Sequence, residues 1–303
     1  MPAKNEEQYI GKCLQGIARL DFDKSLLEVI LVDNGSSDRT VEIATSFGAK
    51  IVSVPHQATI AALRNQGAEV ARGNLLAFVD ADCIPREDWL NNALRHFRDP
   101  SVACVGSKPG IPEHGATWVE RTWSVMKAKP VLAASKWLSS CNFIVRNKVF
   151  VEVGGFDSSL VTCEDADIGY RISSKWNMTN DPAVRVVHLR EPKTIGEFFK
   201  KEVWHGVGNY VGLKRHGLIS DEIPSLVIPL WTSLSLLGLV GALLVREWQF
   251  MCGAVISFLV PPLAITLTKM RTVRGVVLGM FFLYIIYCVA RTVAIFNAMF
   301  RGK

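Results

Sequence analysis

The chain has 303 residues, 49% apolar and 20% charged, which is enough to bury a core unaided as one large domain or two smaller ones. Its net charge of +6 is not spread evenly: from Ile223 onward Arg246, Lys269, Arg271, Arg274, Arg291, Arg301 and Lys303 face Glu247 alone. Residues 1–222 therefore balance near zero, which argues against a nucleic-acid partner and places the basic excess beside a membrane. The seven cysteines show no paired spacing and suggest neither a disulfide framework nor a CxxC metal site; reduced thiols of a cytosolic domain fit. No signal peptide is expected, because Lys4, Glu6 and Glu7 precede any apolar run.

Residues 1–105 alternate helix-like and strand-like signals, the pattern of an α/β fold with a mostly parallel mixed sheet and flanking helices. The order predicts a helix near 5–19, the strand VILVD (29–33), a helix near 38–47, the strand KIVSV (50–54) and a helix near 57–71. LLAFV (75–79) follows as a strand. REDWLNNALRHF then sets Leu90, Ala93, Leu94 and Phe97 on one helical face, and VACVG (102–106) is another strand. Residues 107–150 are less regular, with GIPEHG as a loop and Trp118, Trp123 and Trp137 nearby, a place for an acceptor or lid region. GGFD (154–157) is a turn, EDADIGYRISSKW (164–176) a helix with an acidic start, and AVRVVHL (183–189) a strand. Residues 195–213 read as an amphipathic helix lying along a membrane surface.

The mean hydropathy of +0.22 is high for a wholly soluble enzyme, and it is concentrated at the C-terminal end. Residues 223–245 and 249–268 carry no charge, and 275–300 only Arg291; each run is long enough to cross a hydrocarbon core of about 30 Å as a helix. The expected division is a cytoplasmic domain over 1–215 and a membrane domain over 216–303, with Pro261-Pro262 allowing the second run to be re-entrant instead. Lys214, Arg215 and His216 before the first run, and Lys269, Arg271 and Arg274 after the second, place both flanks on the cytoplasmic side of a bacterial-type inner membrane.

Several stretches carry chemistry. In LLAFVDADCIP, Asp80 and Asp82 stand where an apolar strand emerges at its carboxyl end, the usual ligand position in an open α/β sheet. Two carboxylates at this spacing suit Mg²⁺ or Mn²⁺ held against a diphosphate; an isolated pair of this kind is more often a solvated loop. VDNGSSDRT (32–40) repeats the arrangement, with Asp33 at a strand end able to meet a base or ribose, or simply to close its own turn. Arg64 in RNQGA precedes the aspartate-pair strand, where it faces a nucleotide or lies as a surface charge. Glu164, Asp165 and Asp167 begin a helix, where acids are favoured, and their mutual repulsion can raise one pKa.

Taken together, PAKNEE (2–7), VDNGSSDRT, RNQGAEVARGNLLAFVDADC, GGFD and EDADIGYR resemble, over about residues 2–210, the inverting family 2 glycosyltransferases of GT-A fold. That resemblance implies a Rossmann-like sheet and sugar transfer from a UDP- or GDP-sugar. By position it implies donor-nucleotide contacts from Pro2, Ala3, Glu6, Asp33, Arg64 and Asp80, and a metal on Asp82, Asp80 and His188. Asp165, paired with Glu164, falls at the catalytic base position, and Trp204 and His205 fall on the acceptor side. Met1 lies where the family's first strand should end, so that strand is expected to be missing or truncated. The QxxRW motif of processive members is absent, and the corresponding region reads EVWHGVGNY. The expected activity is a single transfer to a lipid-linked acceptor, polyprenyl phosphate or a lipid-linked glycan, in cell-envelope or exopolysaccharide synthesis. The alternatives are a sugar-nucleotidyltransferase, whose GxGTR-like loop is missing, and a non-catalytic nucleotide-binding membrane scaffold.

Overall fold

The computed structural model of the chain describes residues 1–54, 58–127, 132–216, 223–270 and 276–300. The chain folds as two compact units, Met1–His114 with Ala128–Glu191, and Gly115–Lys127 with Pro192–Lys303. The sequence places its boundary after residue 215, whereas the structure groups a Trp-bearing helix and the amphipathic helix with the apolar C-terminal helices.

The first unit opens with β1 (Pro2–Ala3), α1 (Ile10–Ala18), β2 (Ile30–Asp33), α2 (Thr40–Ser46) and β3 (Lys50–Ser53). β1 and β3 flank β2 in parallel, so β1 survives as a two-residue strand beside the VDNGSS turn. The helix expected from residue 5 begins only at Ile10, because Asn5 adopts a left-handed φ of 55° and caps elsewhere. Next come α3 (Ile60–Glu69), β4 (Leu75–Val79), β5 (Cys83–Pro85), α4 (Trp89–Leu94) and β6 (Val102–Gly106).

The irregular middle of the sequence holds α5 (Trp118–Lys127), which belongs to the second unit, then β7 (Ala133–Ala134), β8 (Asn142–Arg146) and α6 (Asn147–Glu152). α7 (Glu164–Ser173), β9 (Asn177–Asn180) and β10 (Val186–His188) complete the first unit. The larger sheet runs β4-β8-β6-β9-β7, with β8 antiparallel to both neighbours. β8 is thus a central strand that three apolar letters in NFIVR did not announce.

Alternation across this sheet separates two cores. Ile144 packs with Val79, Val105 and α1 on one face, while Phe143 and Val145 join Phe78, Phe150 and Phe156 on the other. Phe78 and Phe156 meet edge to face at 5.2 Å, the preferred arrangement for aromatic quadrupoles.

The second unit adds α8 (Ile195–His216), α9 (Ile223–Val245), α10 (Trp248–Met270) and α11 (Val277–Phe300). Val227–Val245, Trp248–Lys269 and Val277–Ala298 are long and apolar enough to cross a membrane. α10 runs uninterrupted through Pro261-Pro262 for 23 residues, about 34 Å at helical rise. α8, the amphipathic helix of the sequence, packs along α11. A Cβ at Gly206 would come within 2.5 Å of the Ala294 methyl, and buried Glu202 pairs with Arg291 at 2.7 Å. The one charge interrupting the third apolar run therefore has its counter-charge on α8.

Candidate active site

The PAKNEE segment is pinned to the VDNGSSDRT turn. Ser37 donates its backbone N–H to Asn5 Oδ1 at 2.8 Å, Asn5 N–H reaches Ser36 Oγ at 2.9 Å, and Glu6 N–H reaches Thr40 Oγ1 at 2.7 Å. Asp33, 5% exposed, accepts the backbone N–H groups of Gly35 and Ser36 at 3.1 Å each. Its carboxylate thus closes its own turn, the local role that the residue type favours there. Pro2 and Ala3 are buried in β1 opposite Val32 and Asp33.

RNQGA is the hub of the site. Asn65 clamps the GGFD turn: Phe156 N–H donates to its Oδ1 at 2.9 Å, and its Nδ2 donates to the Phe156 carbonyl at 2.7 Å. Gly155 makes this possible, with φ of +67° and no room for a Cβ, which would stand 2.7 Å from Asn65 Oδ1. One residue earlier, Arg64 is buried rather than a surface charge. Its Nη2 donates to Asp80 Oδ1 at 2.7 Å and its Nη1 to Glu164 Oε1 at 2.6 Å, with the guanidinium lying over the Phe156 ring. Ser140 Oγ also donates to Glu164 Oε1 at 3.2 Å.

Asp165 follows at the start of α7, entered through Cys163 in a left-handed conformation that a non-glycine residue adopts at a cost. Burial, then the adjacent Glu164 carboxylate, push Asp165 up to about 7 against the pull of Arg64. A carboxyl titrating near neutrality has the proton affinity that a general base needs.

Asp82 and His188 meet because β5 and β10 pair antiparallel with His188 opposite Cys83. His188 Nε2 lies 3.6 Å from Asp82 Oδ1, and its Nδ1 points at Glu191 Oε1, 3.9 Å away and 2% exposed. Nδ1 is buried without a hydrogen-bond partner. Burial raises the Asp82 pKa, partly offset by His188, and the neighbouring Asp80 adds to the rise. These features fit a divalent cation: a ring nitrogen facing a carboxylate near the span of two adjacent ligands, a carboxylate behind the imidazole, and buried carboxylate charge whose pKa stays raised despite its cationic neighbours. Asp80 differs, since one of its oxygens is engaged by Arg64.

Two participants and one neighbouring thiol had no linear signal. Arg190 donates to Glu6 Oε1 at 2.7 Å and lies over the Tyr9 ring, bringing a cation beside Asp82. Glu191 backs His188. Cys83 places its thiol among the Asp82 and His188 donor atoms, all within 4.8 Å of one another. Trp204 and His205 belong to α8 of the second unit, their rings 5.0 Å apart and Trp204 46% exposed.

Comparisons with known proteins identify the family. The model of the family described as glycosyl transferase family 2 matches residues 1–156. The glycosyltransferase AglE of Haloferax volcanii is 30% identical over 223 residues, covering 69% of this chain and 71% of that protein. The pre-mycofactocin glycosyltransferase of Mycobacterium tuberculosis is 32% identical over 187 residues, 57% of this chain but 40% of its own length. Among solved structures, the mannosyltransferase PcManGT from Pyrobaculum calidifontis, in complex with GDP-Man and Mn²⁺, superposes with a TM-score of 0.62 at 15% identity, covering 100% of this chain and 86% of that one. Its likeness shows the GT-A arrangement of sheets and helices. From the hub at RNQGA to the family match over its N-terminal half, this chain belongs to glycosyltransferase family 2, as a GT-A enzyme followed by three apolar helices able to span a membrane.

Proposed function

We propose that the chain is a membrane-tethered, metal-dependent, inverting hexosyltransferase that moves one sugar from a UDP- or GDP-sugar to a lipid-linked acceptor in cell-envelope or exopolysaccharide synthesis. The observation that carries this reading is the buried Arg64, which ties the aspartate-pair turn to the Glu164-Asp165 helix within one unit. A donor-binding carboxylate pair and a base are thereby held in a single electrostatic cluster.

In this reading Asp82 and His188, with Asp80 beside them, hold Mg²⁺ or Mn²⁺, and Glu191 orients the imidazole. When bound, the cation supplies neutralisation of the departing nucleoside diphosphate. Asp33, Pro2, Ala3 and Glu6 form the nucleotide side. Asp165 takes the proton of the attacking acceptor oxygen, and Glu164, fixed by Arg64, keeps the Asp165 carboxylate basic. Trp204 and His205 serve the acceptor side. A base poised near neutrality is needed for a sugar hydroxyl and not for a phosphate oxygen that is already anionic. The acceptor is therefore a lipid-linked glycan in first reading and polyprenyl phosphate in second.

Absence of QxxRW supports transfer of one sugar per encounter. The three spans keep the enzyme at a high effective concentration of lipid acceptor. The basic flanks of the spans support a cytoplasmic position for the catalytic unit.

The test uses the full chain in native membranes with Mn²⁺ and a panel of radiolabelled UDP- and GDP-sugars. GDP-mannose heads the panel because a protein of like fold was solved with it. Label in the lipid extract from one donor, lost with Asp165→Asn, is the expected result. Donor consumption with label only in water-soluble product would overturn the lipid acceptor.

A further inference from the structure

The donor atoms around Asp82 are not all of the kind that a hard cation prefers. Asp82 offers oxygen, His188 nitrogen and Cys83 sulfur, with all three within 4.8 Å of one another. The Cys83 thiol lies 3.8 Å from Asp82 Oδ1, and His188 Nε2 lies 3.6 Å from the same oxygen. A tetrahedral zinc ion with bond lengths of 2.0 to 2.3 Å holds its ligand atoms about 3.3–3.6 Å apart, so closure needs shifts of roughly 1 Å or less. The third side of the set is fixed by the backbone, because His188 and Cys83 are directly paired across β10 and β5.

We propose that Cys83 makes this centre a zinc-inhibited one: Zn²⁺ is held by Asp82, Cys83 and His188 and displaces the hard cation that supports transfer. The proposal rests on the reading of Asp82 and His188 as cation ligands and adds a third ligand and a second metal. The hard cation keeps six oxygen-rich positions and leaves the thiol protonated and uncoordinated. Zinc accepts thiolate, carboxylate and imidazole with fewer ligands, and for a given N/O/S set it outranks Mn²⁺. On binding, the Cys83 S–H bond breaks, its proton passes to solvent and a Zn–S bond forms, with no change of oxidation state. Fewer coordination positions then remain for the donor's phosphate oxygens, so zinc binds and transfer stops.

The experiment follows Mn²⁺ bound to the detergent-solubilised full chain by paramagnetic resonance while Zn²⁺ is added, in the native protein and in Cys83→Ser. Co²⁺ serves as a coloured stand-in for zinc. Expected are equal Mn²⁺ binding by both proteins, displacement by zinc at least about tenfold less effective in the variant, and a sulfur-to-cobalt charge-transfer band in the native protein that excess Mn²⁺ removes and Cys83→Ser lacks. Equal displacement of Mn²⁺ by zinc from both proteins would overturn the proposal, as would a native cobalt complex without the band. If Cys83→Ser fails to fold, Cys83→Ala replaces it, and the native cobalt band with its removal by Mn²⁺ decides alone. Absence of Mn²⁺ binding to the native protein would instead remove the underlying ligand assignment. A cobalt band remaining in that case would keep Cys83 as a ligand but overturn displacement of a hard cation.

Discussion

Arg64 and Glu164 stand 100 positions apart in sequence and 2.6 Å apart in space, with side chains 1% and 7% exposed. The same guanidinium holds Asp80 at 2.7 Å. Breaking a buried pair of this kind by removing one partner typically costs about 3–5 kcal/mol, because the other charge is left uncompensated. Arg64→Ala is therefore expected to lower the thermal midpoint of the full chain and to abolish transfer. Arg64→Lys, which lacks the planar fork needed to reach two carboxylates, should fold but transfer slowly. Native-like activity in Arg64→Lys would show that the fork is not needed.

Asp165 and Glu164 set the pH dependence. A base with a pKa of about 7 is protonated and idle below that value, so kcat/KM, which follows the free enzyme, should fall about tenfold per pH unit in acid and level off above neutrality. Neutralising Glu164 removes a charge that raises this pKa and leaves Arg64 to lower it further. The acid limb of Glu164→Gln should therefore move to lower pH. Asp165→Asn should lose about 10²–10⁴-fold in kcat while donor affinity stays unchanged, as read by calorimetry. An unshifted limb in Glu164→Gln would separate the two carboxylates.

Glu191 lies 3.9 Å behind His188 Nδ1, so a shift of about 1 Å would let it accept that nitrogen's proton and fix the imidazole. Glu191→Gln is expected to weaken Mn²⁺ binding by about 10–100-fold, a loss characteristic of outer-shell carboxylates. His188→Ala should weaken it further, and EDTA should stop transfer reversibly. Mn²⁺ affinity measured by paramagnetic resonance checks all three.

In the second unit, Glu202 on α8 and Arg291 on α11 form a buried pair beside the close approach of Gly206 to Ala294. Glu202→Ala removes the buried counter-charge of Arg291 and should destabilise the chain in detergent. Replacing both by apolar residues of similar volume should recover much of the loss, as the lost attraction and the avoided desolvation offset each other. Gly206→Val should separate the helices by steric conflict alone, a fall in thermal midpoint independent of salt.

Much of the fold is legible along the chain. β2, β3, β4 and β6 fall within a residue of the runs that announce them, and the three apolar helices occupy the three apolar runs. These signals act over a few residues, through strand period, turn-forming glycines and the cost of burying charge. β8 is not legible because a five-residue strand with Asn and Arg at its ends has too little apolar pattern, although it is an interior strand of the larger sheet. β5 and β9, of three and four residues, carry no clearer pattern.

The candidate site divides along similar lines. That Asp80 and Asp82 end an apolar strand, and that Glu164 and Asp165 open a helix, is written in adjacent letters. Which cation balances which acid is not. Arg64 could read equally as a surface charge, and nothing near Glu6 predicts Arg190, 184 residues away. Electrostatic pairing at that separation has no local trace, because it depends on where the chain returns after several strands and helices. Letter order accounts for the kinds of group that this protein presents and for the membrane-length helices. Folding alone brings Arg64 between two acidic motifs, pairs His188 with Cys83 across two strands and gives Arg291 its counter-charge, since burial and Coulomb energy act through space rather than along the chain.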